Sequence, residues 1–311
     1  RVFQYQVISG TATWTQLGPD IDGEAAGDGS GNGMSLSSDG SIVAIGAVSN
    51  DGNGTNSGHV RIFKYQVISG TPTWTQLGQD IDGEAAQDSS GRLSLSSDGS
   101  RVAISGTNND GTSGNADDNR GHVRIFDYNG SAWVQVGQDI DGEAAADVSG
   151  KSVSLSSDGS RVAISSTLND GANGADSGHV RIYDYNGSAW VQVGGDIDGE
   201  AAGDLSGWSV SLSSDGSRVA IGARSNDGAN GADSGHVRVY SISSGESYQY
   251  AWDVDSGSTP PSGTYYATVS GTTVATGGAY SGTESITFIL DTSSPTVTLT
   301  STDIDNVVNA S

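Results

Sequence analysis

The sequence contains no cysteine, only five prolines and few basic residues, 13 Lys and Arg against 37 Asp and Glu. Without cysteine, neither a disulfide nor a thiolate metal site can stabilise the fold. The net charge of −24 argues against binding to nucleic acid, which needs basic patches, and against docking on anionic lipid. No run of residues is long and apolar enough to predict a membrane-spanning helix.

Glycine is abundant, with 47 residues, and apolar residues make up only 34% of the chain. Short segments of alternating apolar and polar residues are separated by polar turn sequences throughout. This pattern is typical of many short strands joined by tight turns, so we predict an all-β fold.

The chain repeats itself, and the repeat decides the predicted architecture. The segment Trp-x-Gln-Leu/Val-Gly recurs at intervals of 57 to 60 residues. Three further segments recur with it, namely Ser-Leu-Ser-Ser-Asp-Gly-Ser, Gly-His-Val-Arg and Asp-Ile-Asp-Gly-Glu-Ala-Ala. Each segment occurs four times, beginning in turn at Trp14, Trp74, Trp133 and Trp190, at Ser35, Ser94, Ser154 and Ser211, at Gly58, Gly121, Gly178 and Gly235, and at Asp20, Asp80, Asp139 and Asp196.

One unit, residues 150–194, predicts four antiparallel strands, at 152–156, 161–165, 180–185 and 189–193. Asp158-Gly159 and Asn186-Gly187 are hairpin turn signals, because such pairs supply the positive φ that tight turns need. Four antiparallel strands per unit are typical of a propeller blade. We therefore predict a β-propeller of four-stranded blades, followed by a C-terminal β-rich segment.

The residues of the last unit resemble a known family. Gly-Glu-Ala-Ala-Gly-Asp-x-Ser-Gly-Trp-Ser-Val-Ser-Leu-Ser at 199–213, Arg-Val-Ala-Ile-Gly-Ala at 218–223 and Gly-His-Val-Arg-Val-Tyr at 235–240 resemble the FG-GAP repeat. That family builds the propeller of integrin α chains and of many bacterial surface proteins, and the resemblance covers about residues 1–245. The calcium loop common in the family is replaced here by Ser-Ser-Asp-Gly-Ser, so its calcium residues do not transfer.

Three segments follow from the pattern. Residues 1–247 are predicted to form propeller blades, with a partial blade at 1–18 and four repeats after it. Residues 248–293 resemble part of a bacterial Ig-like module, and residues 294–311 resemble the start of another or a linker. An alternative is that 248–254, which contains Trp252, closes the last blade.

The repeated acidic stretch is a candidate calcium site, because carboxylate oxygens suit that ion. The alternative interpretation is a solvated acidic loop between blades, and no other cofactor is expected. The candidate ligands are the two aspartates of each stretch: Asp20, Asp22, Asp80, Asp82, Asp139, Asp141, Asp196 and Asp198.

The histidines and the arginines two residues after them occupy one repeat position each. A catalytic residue is usually unique, so we interpret the histidines as structural and expect the arginines to pair with acidic neighbours. No Ser-His-Asp or isolated pair of carboxylates stands out, and the sequence predicts no enzyme.

Differences between the repeats cluster at equivalent positions, which is how repeat proteins vary a ligand surface. The alternative is drift at exposed loops. The ligand-surface candidates are Asn32, Arg92, Lys151, Trp208 and Arg224.

Together these features predict a non-enzymatic extracellular or cell-surface module for adhesion or macromolecular binding. Its expected partners are extracellular proteins, glycans or copies of itself. The alternatives are an architectural subunit of an extracellular filament, sheath or surface layer, and a propeller enzyme acting on polysaccharide.

Overall fold

The structure is a computed structural model that describes residues 1–111, 118–228 and 230–242, and the backbone of three later strands. The chain forms two compact units, Arg1–Ser244 and Gly245–Ser311. The described residues contain strands and turns and no α-helix, as the predicted all-β class requires. None of them forms a helix that could cross a membrane.

The first unit contains one hairpin and four antiparallel sheets, which we call blades 1 to 4. The hairpin is β1 (Phe3–Ile8) and β2 (Thr11–Gln16). Blade 1 contains β3 (Ser30–Leu36), β4 (Ile42–Ala47), β5 (His59–Ile68), β6 (Thr71–Gln76) and β7 (Ile81–Asp82). Blade 2 contains β8 (Ser90–Leu95), β9 (Arg101–Gly106), β10 (His122–Tyr128), β11 (Trp133–Gln135) and β12 (Ile140–Asp141).

Blade 3 contains β13 (Ser149–Leu155), β14 (Arg161–Ser166), β15 (His179–Tyr185), β16 (Trp190–Gln192) and β17 (Ile197–Asp198). Blade 4 contains β18 (Ser206–Leu212), β19 (Arg218–Ala223) and β20 (His236–Ser241). The first strands of successive blades pack together, β3 on β8, β8 on β13 and β13 on β18. The predicted propeller-type blades of four consecutive antiparallel strands are confirmed.

Each of blades 1 to 3 also contains a short strand that the sequence analysis missed. The Ile-Asp pair of the acidic stretch leaves the fourth strand and pairs with the third strand instead, as β7 with β5. The same pairing joins β12 to β10 and β17 to β15. The acidic stretch is therefore hydrogen-bonded at the sheet edge and is not a free loop.

The Ser-Asp-Gly-Ser turns are held by their aspartates. In blade 3, Asp158 accepts hydrogen bonds from the Ser156 hydroxyl at 2.7 Å and from the Ser160 amide at 2.9 Å. The positive φ lies on Gly159 alone, at 69°, where a side chain would be strained. Backbone bonds between equivalent turns then link the blades, as from the Ser97 amide to the Ser157 carbonyl at 2.8 Å.

The blades are joined by apolar packing of one face on the next. Val60 and Ile62 of blade 1 are fully buried against a face of blade 2 that includes Val102, Ile104 and Trp133. The Trp133 indole N–H also donates to the carbonyl of Leu77 at 2.8 Å. Fully burying one such aliphatic side chain contributes about 1.5–3 kcal/mol, so this packing is the main source of stability between blades.

The second unit is a three-stranded antiparallel sheet of β21 (Gly263–Ala275), β22 (Gly278–Leu290) and β23 (Thr298–Thr300). The alternative that 248–254 closes the last blade lies outside the described residues. The Ig-like interpretation of 248–293 and 294–311 also falls largely outside them and stays a prediction.

Equivalent tryptophans test the packing between blades. Trp133 is 4% exposed, whereas Trp14 in the hairpin is 66% exposed. We expect Trp133→Ala to lower the free energy of unfolding by about 3–5 kcal/mol. Trp14→Ala should cost less than about 1.5 kcal/mol, since it removes little beyond the ring contact with Tyr5. Urea denaturation measures both, and equal losses would contradict the proposed role of the packing.

Candidate functional site

At three places, residues of two successive repeats bring a glutamate, a histidine and an aspartate together. The ligand atoms of each group lie within 4.8 Å of one another. The glutamate comes from the acidic stretch of one repeat, whereas the histidine and the aspartate come from the next. We call these groups the junction triads: Glu24, His59 and Asp80; Glu84, His122 and Asp139; Glu143, His179 and Asp196.

The short strands place the triad residues. In blade 2, His122 begins β10 and is paired with Asp141 of β12, which brings Asp139 close to the imidazole. Gly142 donates its amide to the Gly121 carbonyl at 2.8 Å. A Cβ on Gly142 would lie 2.1 Å from the carbonyl oxygen of Arg120, so only glycine permits this approach.

The triad atoms are spaced for a cation rather than for hydrogen bonds. Nδ1 of His122 lies 3.7 Å from a carboxylate oxygen of Glu84, and the equivalent distances around His59 and His179 are 3.8–3.9 Å. These distances exceed hydrogen-bond length. Metal–ligand bonds of about 2.0–2.2 Å separate neighbouring ligands by roughly 3–3.5 Å, so a small inward shift of the carboxylates would complete a site.

Burial keeps the central imidazole neutral. His122 is 1% exposed, and burial, reinforced by the positive charge of Arg124, lowers its pKa to about 4. Burial also lowers the pKa of His179 and raises the pKa of Glu84. A neutral imidazole is the form that binds metals, so His122 and His179 are in the ligand state at neutral pH.

The repeated arginines hold the glutamates, as predicted. Nη1 of Arg124 lies 3.5 Å from Oε1 of Glu84, which leaves Oε2 facing the imidazole. Nη2 of Arg124 donates to the backbone carbonyl of Asp82 at 2.6 Å. Each glutamate is thus fixed by a buried arginine and presents one oxygen to the triad.

Only some of the predicted metal ligands enter the triads. Asp80, Asp139 and Asp196 do, together with the histidines and glutamates that the sequence analysis had not chosen. Asp20 instead accepts hydrogen bonds from Arg1 and Gln16. Four predicted aspartates, the second of each stretch, lie outside the triads: Asp22, Asp82, Asp141 and Asp198. The structure therefore contains groups that could hold a metal ion, but with a different ligand set.

The ligand-surface candidates also come together in part. Arg92, Lys151 and Trp208 follow equivalent glycines in the first strands of blades 2, 3 and 4, where each strand has a register shift against its neighbour. Arg224 follows β19 and stacks on the Trp208 ring at 3.5 Å from its centroid. Asn32 occupies the same position of blade 1 and is exposed.

Comparisons with known proteins concern the fold alone. No protein family and no curated protein sequence match the chain. It is similar to a solved structure assigned as a 6-phosphogluconolactonase from Bacteroides uniformis, with 18% identity over 76% of this chain and 59% of that one, and a TM-score of 0.46. The chain thus spans 59% of that protein.

Two further solved structures are similar to the chain. One is the periplasmic gluconolactonase of Pseudomonas aeruginosa, with 15% identity over 95% of this chain and 76% of that one, and a TM-score of 0.41. The other is the tricorn protease, with 13% identity over 60% of this chain and 15% of that one, and a TM-score of 0.32. The repeated-strand, propeller-type architecture is shared, whereas the FG-GAP and Ig-like assignments are not confirmed.

These names correct the functional prediction. A non-enzymatic adhesion module was predicted from the resemblance to FG-GAP repeats and because the histidines recur in every repeat, whereas a catalytic residue is usually unique. The similar structures are named as enzymes, two of them lactonases. The prediction of an adhesion protein without enzymatic activity is therefore wrong.

The buried histidine predicts a pH-dependent stability in the presence of a chelator. The pKa of His122 is lowered to about 4 by folding from an ordinary 6.5. Its contribution to stability is therefore full above pH 6.5 and is lost as pH falls toward 4, by up to about 3 kcal/mol. We expect His122→Gln to flatten this dependence in denaturation series between pH 7 and pH 4.

The matched control is His236→Gln, because the His236 side chain is 26% exposed and lies in blade 4. It should retain the pH dependence that His122 causes. A His122→Gln protein as sensitive to acid as the unchanged protein would show that the histidine is not the responsible group.

Proposed function

We propose that the junction triads bind divalent transition-metal ions and that the bound metal gives the protein a hydrolytic activity. The observation that carries the proposal is that Nδ1 of each buried triad histidine lies 3.7–3.9 Å from a glutamate oxygen, with an aspartate oxygen within 4.8 Å of both. Repulsion between two carboxylates beside a buried imidazole is relieved when a cation lies between them.

The ligand set favours Zn²⁺ or Mn²⁺ over calcium. Calcium is bound by six to eight oxygen ligands, whereas each triad offers one nitrogen and two carboxylates. Zinc takes His, Asp and Glu ligands together in four-coordinate sites. The calcium expected from the acidic stretches alone is therefore replaced in this proposal by a metal that accepts imidazole.

The proposed hydrolysis rests on the number and exposure of the ligands. Three protein ligands leave a coordination position open for water or substrate, as in hydrolytic zinc sites. The carboxylates of the triads are 30–45% exposed, so the open position faces solvent. A bound metal lowers the pKa of its water and polarises a carbonyl, so the substrate class is an ester or a lactone.

Extracellular or cell-surface localisation remains part of the proposal. The high acidity and the absence of cysteine are compatible with it. Partners among extracellular proteins, glycans or further copies of the chain likewise remain predictions.

Metal binding should occur with a stoichiometry of three, one ion for each triad. Calorimetric titration of chelator-treated protein with Zn²⁺ or Mn²⁺ measures it, and Glu84→Gln should reduce the stoichiometry to two.

Because the metal binds only folded protein, each site filled at 100 times its Kd adds about 2.7 kcal/mol to the free energy of unfolding and raises Tm by about 5–10 °C. Asp22→Asn, which changes an aspartate outside the triads, is the matched control. If Asp22→Asn lost a metal site and Glu84→Gln did not, the metal ligands would be the aspartates of the acidic stretch and not the triads.

Hydrolysis is tested with the metal-loaded protein on a panel of esters and lactones. The names of the similar structures make lactones the first substrates to test. We expect turnover that chelation abolishes, metal restores, and the combined His59→Gln, His122→Gln and His179→Gln protein lacks. Stoichiometric metal binding without turnover of any substrate would refute the hydrolytic part and leave the metal sites in place.

A further inference from the structure

Two of the few basic residues contact one exposed tryptophan, and a third acts on one of them. Arg224 stacks on the Trp208 ring, and the Lys151 ammonium lies 4.6 Å from the ring centroid. Burial, reinforced by the positive charges of Arg92 and Arg224, lowers the pKa of Lys151. We call Arg92, Lys151, Trp208 and Arg224 the basic cluster.

The cluster is unusual in so acidic a chain. Of the 13 basic residues, eight form an ion pair with a carboxylate. Across the described ranges, no carboxylate forms an ion pair with any of the three cations of the cluster. Like charges brought together without a counter-charge repel one another, a cost to folding that the contacts of Lys151 and Arg224 with the Trp208 ring have to offset.

The scaffold fixes these side chains. Gly150 and Gly207, with φ of 87° and 88°, precede Lys151 and Trp208 where the first strands lose register against the second. Such bulges redirect a side chain from its place in the regular sheet. The stacked position of Arg224 on an indole ring holds its planar guanidinium while leaving N–H groups at its edge.

We propose that the basic cluster is a binding site for a small organic anion with two or more carboxylate or phosphate groups. Guanidinium and ammonium groups that converge without acidic partners bind oxyanions through charge-assisted hydrogen bonds. Trp208, which is 38% exposed, offers an apolar surface for the carbon skeleton of the ligand.

The charge of the whole protein selects for a compact ligand. A long polyanion would extend beyond the cluster over a surface whose net charge is −24, where it is repelled. A small anion contacts only the cations of blades 2, 3 and 4. The site shares no residue with the junction triads and does not depend on the proposed hydrolysis.

The test is calorimetric titration of metal-free, chelator-treated protein with citrate, inorganic pyrophosphate and long polyglutamate. Metal-free protein is required because the first two compounds would remove metal from the triads. We expect citrate to bind more tightly than pyrophosphate, because only citrate has a carbon skeleton for Trp208 to contact, and polyglutamate to bind most weakly. Lys151→Gln and Arg92→Gln should each weaken citrate binding roughly tenfold.

Lys64→Gln and Arg218→Gln are matched controls, since each removes one positive charge from an exposed position outside the cluster. They should change citrate affinity by less than about twofold at physiological salt. No citrate binding, equal losses in control and cluster variants, or tighter binding of polyglutamate than of citrate would each overturn the proposal. Loss of metal binding at the triads would leave these results unchanged, so the two proposals fail separately.

Discussion

A blade with a neighbour on each side is buried on both faces, and only those neighbours can bury it. In β10 of blade 2, the consecutive residues His122 to Phe126 are all buried, although alternate side chains of a strand point to opposite faces. The third strand is thus enclosed between the blade before it and the blade after it. Its aliphatic side chains pack on the following blade, and its histidine and arginine meet the acidic stretch of the preceding one. Stacking is therefore the constraint on which folding and site formation both depend.

The same constraint explains why the triads cannot exist within one repeat. Glu84 and His122 belong to successive repeats, and their side chains meet only when blades 1 and 2 are stacked. The buried polar groups of the junction lower the stability of the fold, because Nε2 of His122 and Nε of Arg124 have no hydrogen-bond partner. If the proposed metal binds, it has ligands from both blades, and its binding offsets part of this cost. Metal binding would then be coupled to the stacking of the blades.

Sequence periodicity was sufficient for the blades because each local signal agrees with the fold. The Asp158-Gly159 turn and the alternation of Val162 and Ile164 predict the strands that form. The triads were not predictable by the same reasoning, because their members are far apart in sequence and the histidines were set aside as repeated. The one available signal was that His122 and Asp139 both recur in fixed order with a glutamate. The bulges were not foreseen either, although the variable positions that follow their glycines were identified.

Residues that are identical in every repeat and positions that differ between repeats therefore have to be interpreted separately. An identical residue in every repeat need not be inert, because a candidate metal site formed between two repeats recurs wherever the same junction recurs. Conversely, the positions at which the repeats differ gain their meaning from the stack, which brings Lys151, Trp208 and Arg224 from two blades to one place. A residue-by-residue search for a unique catalytic group overlooks both candidate sites. The junction triads recur along the chain, and the residues of the basic cluster come from different blades. The stacked sheet is what converts small local differences into a site.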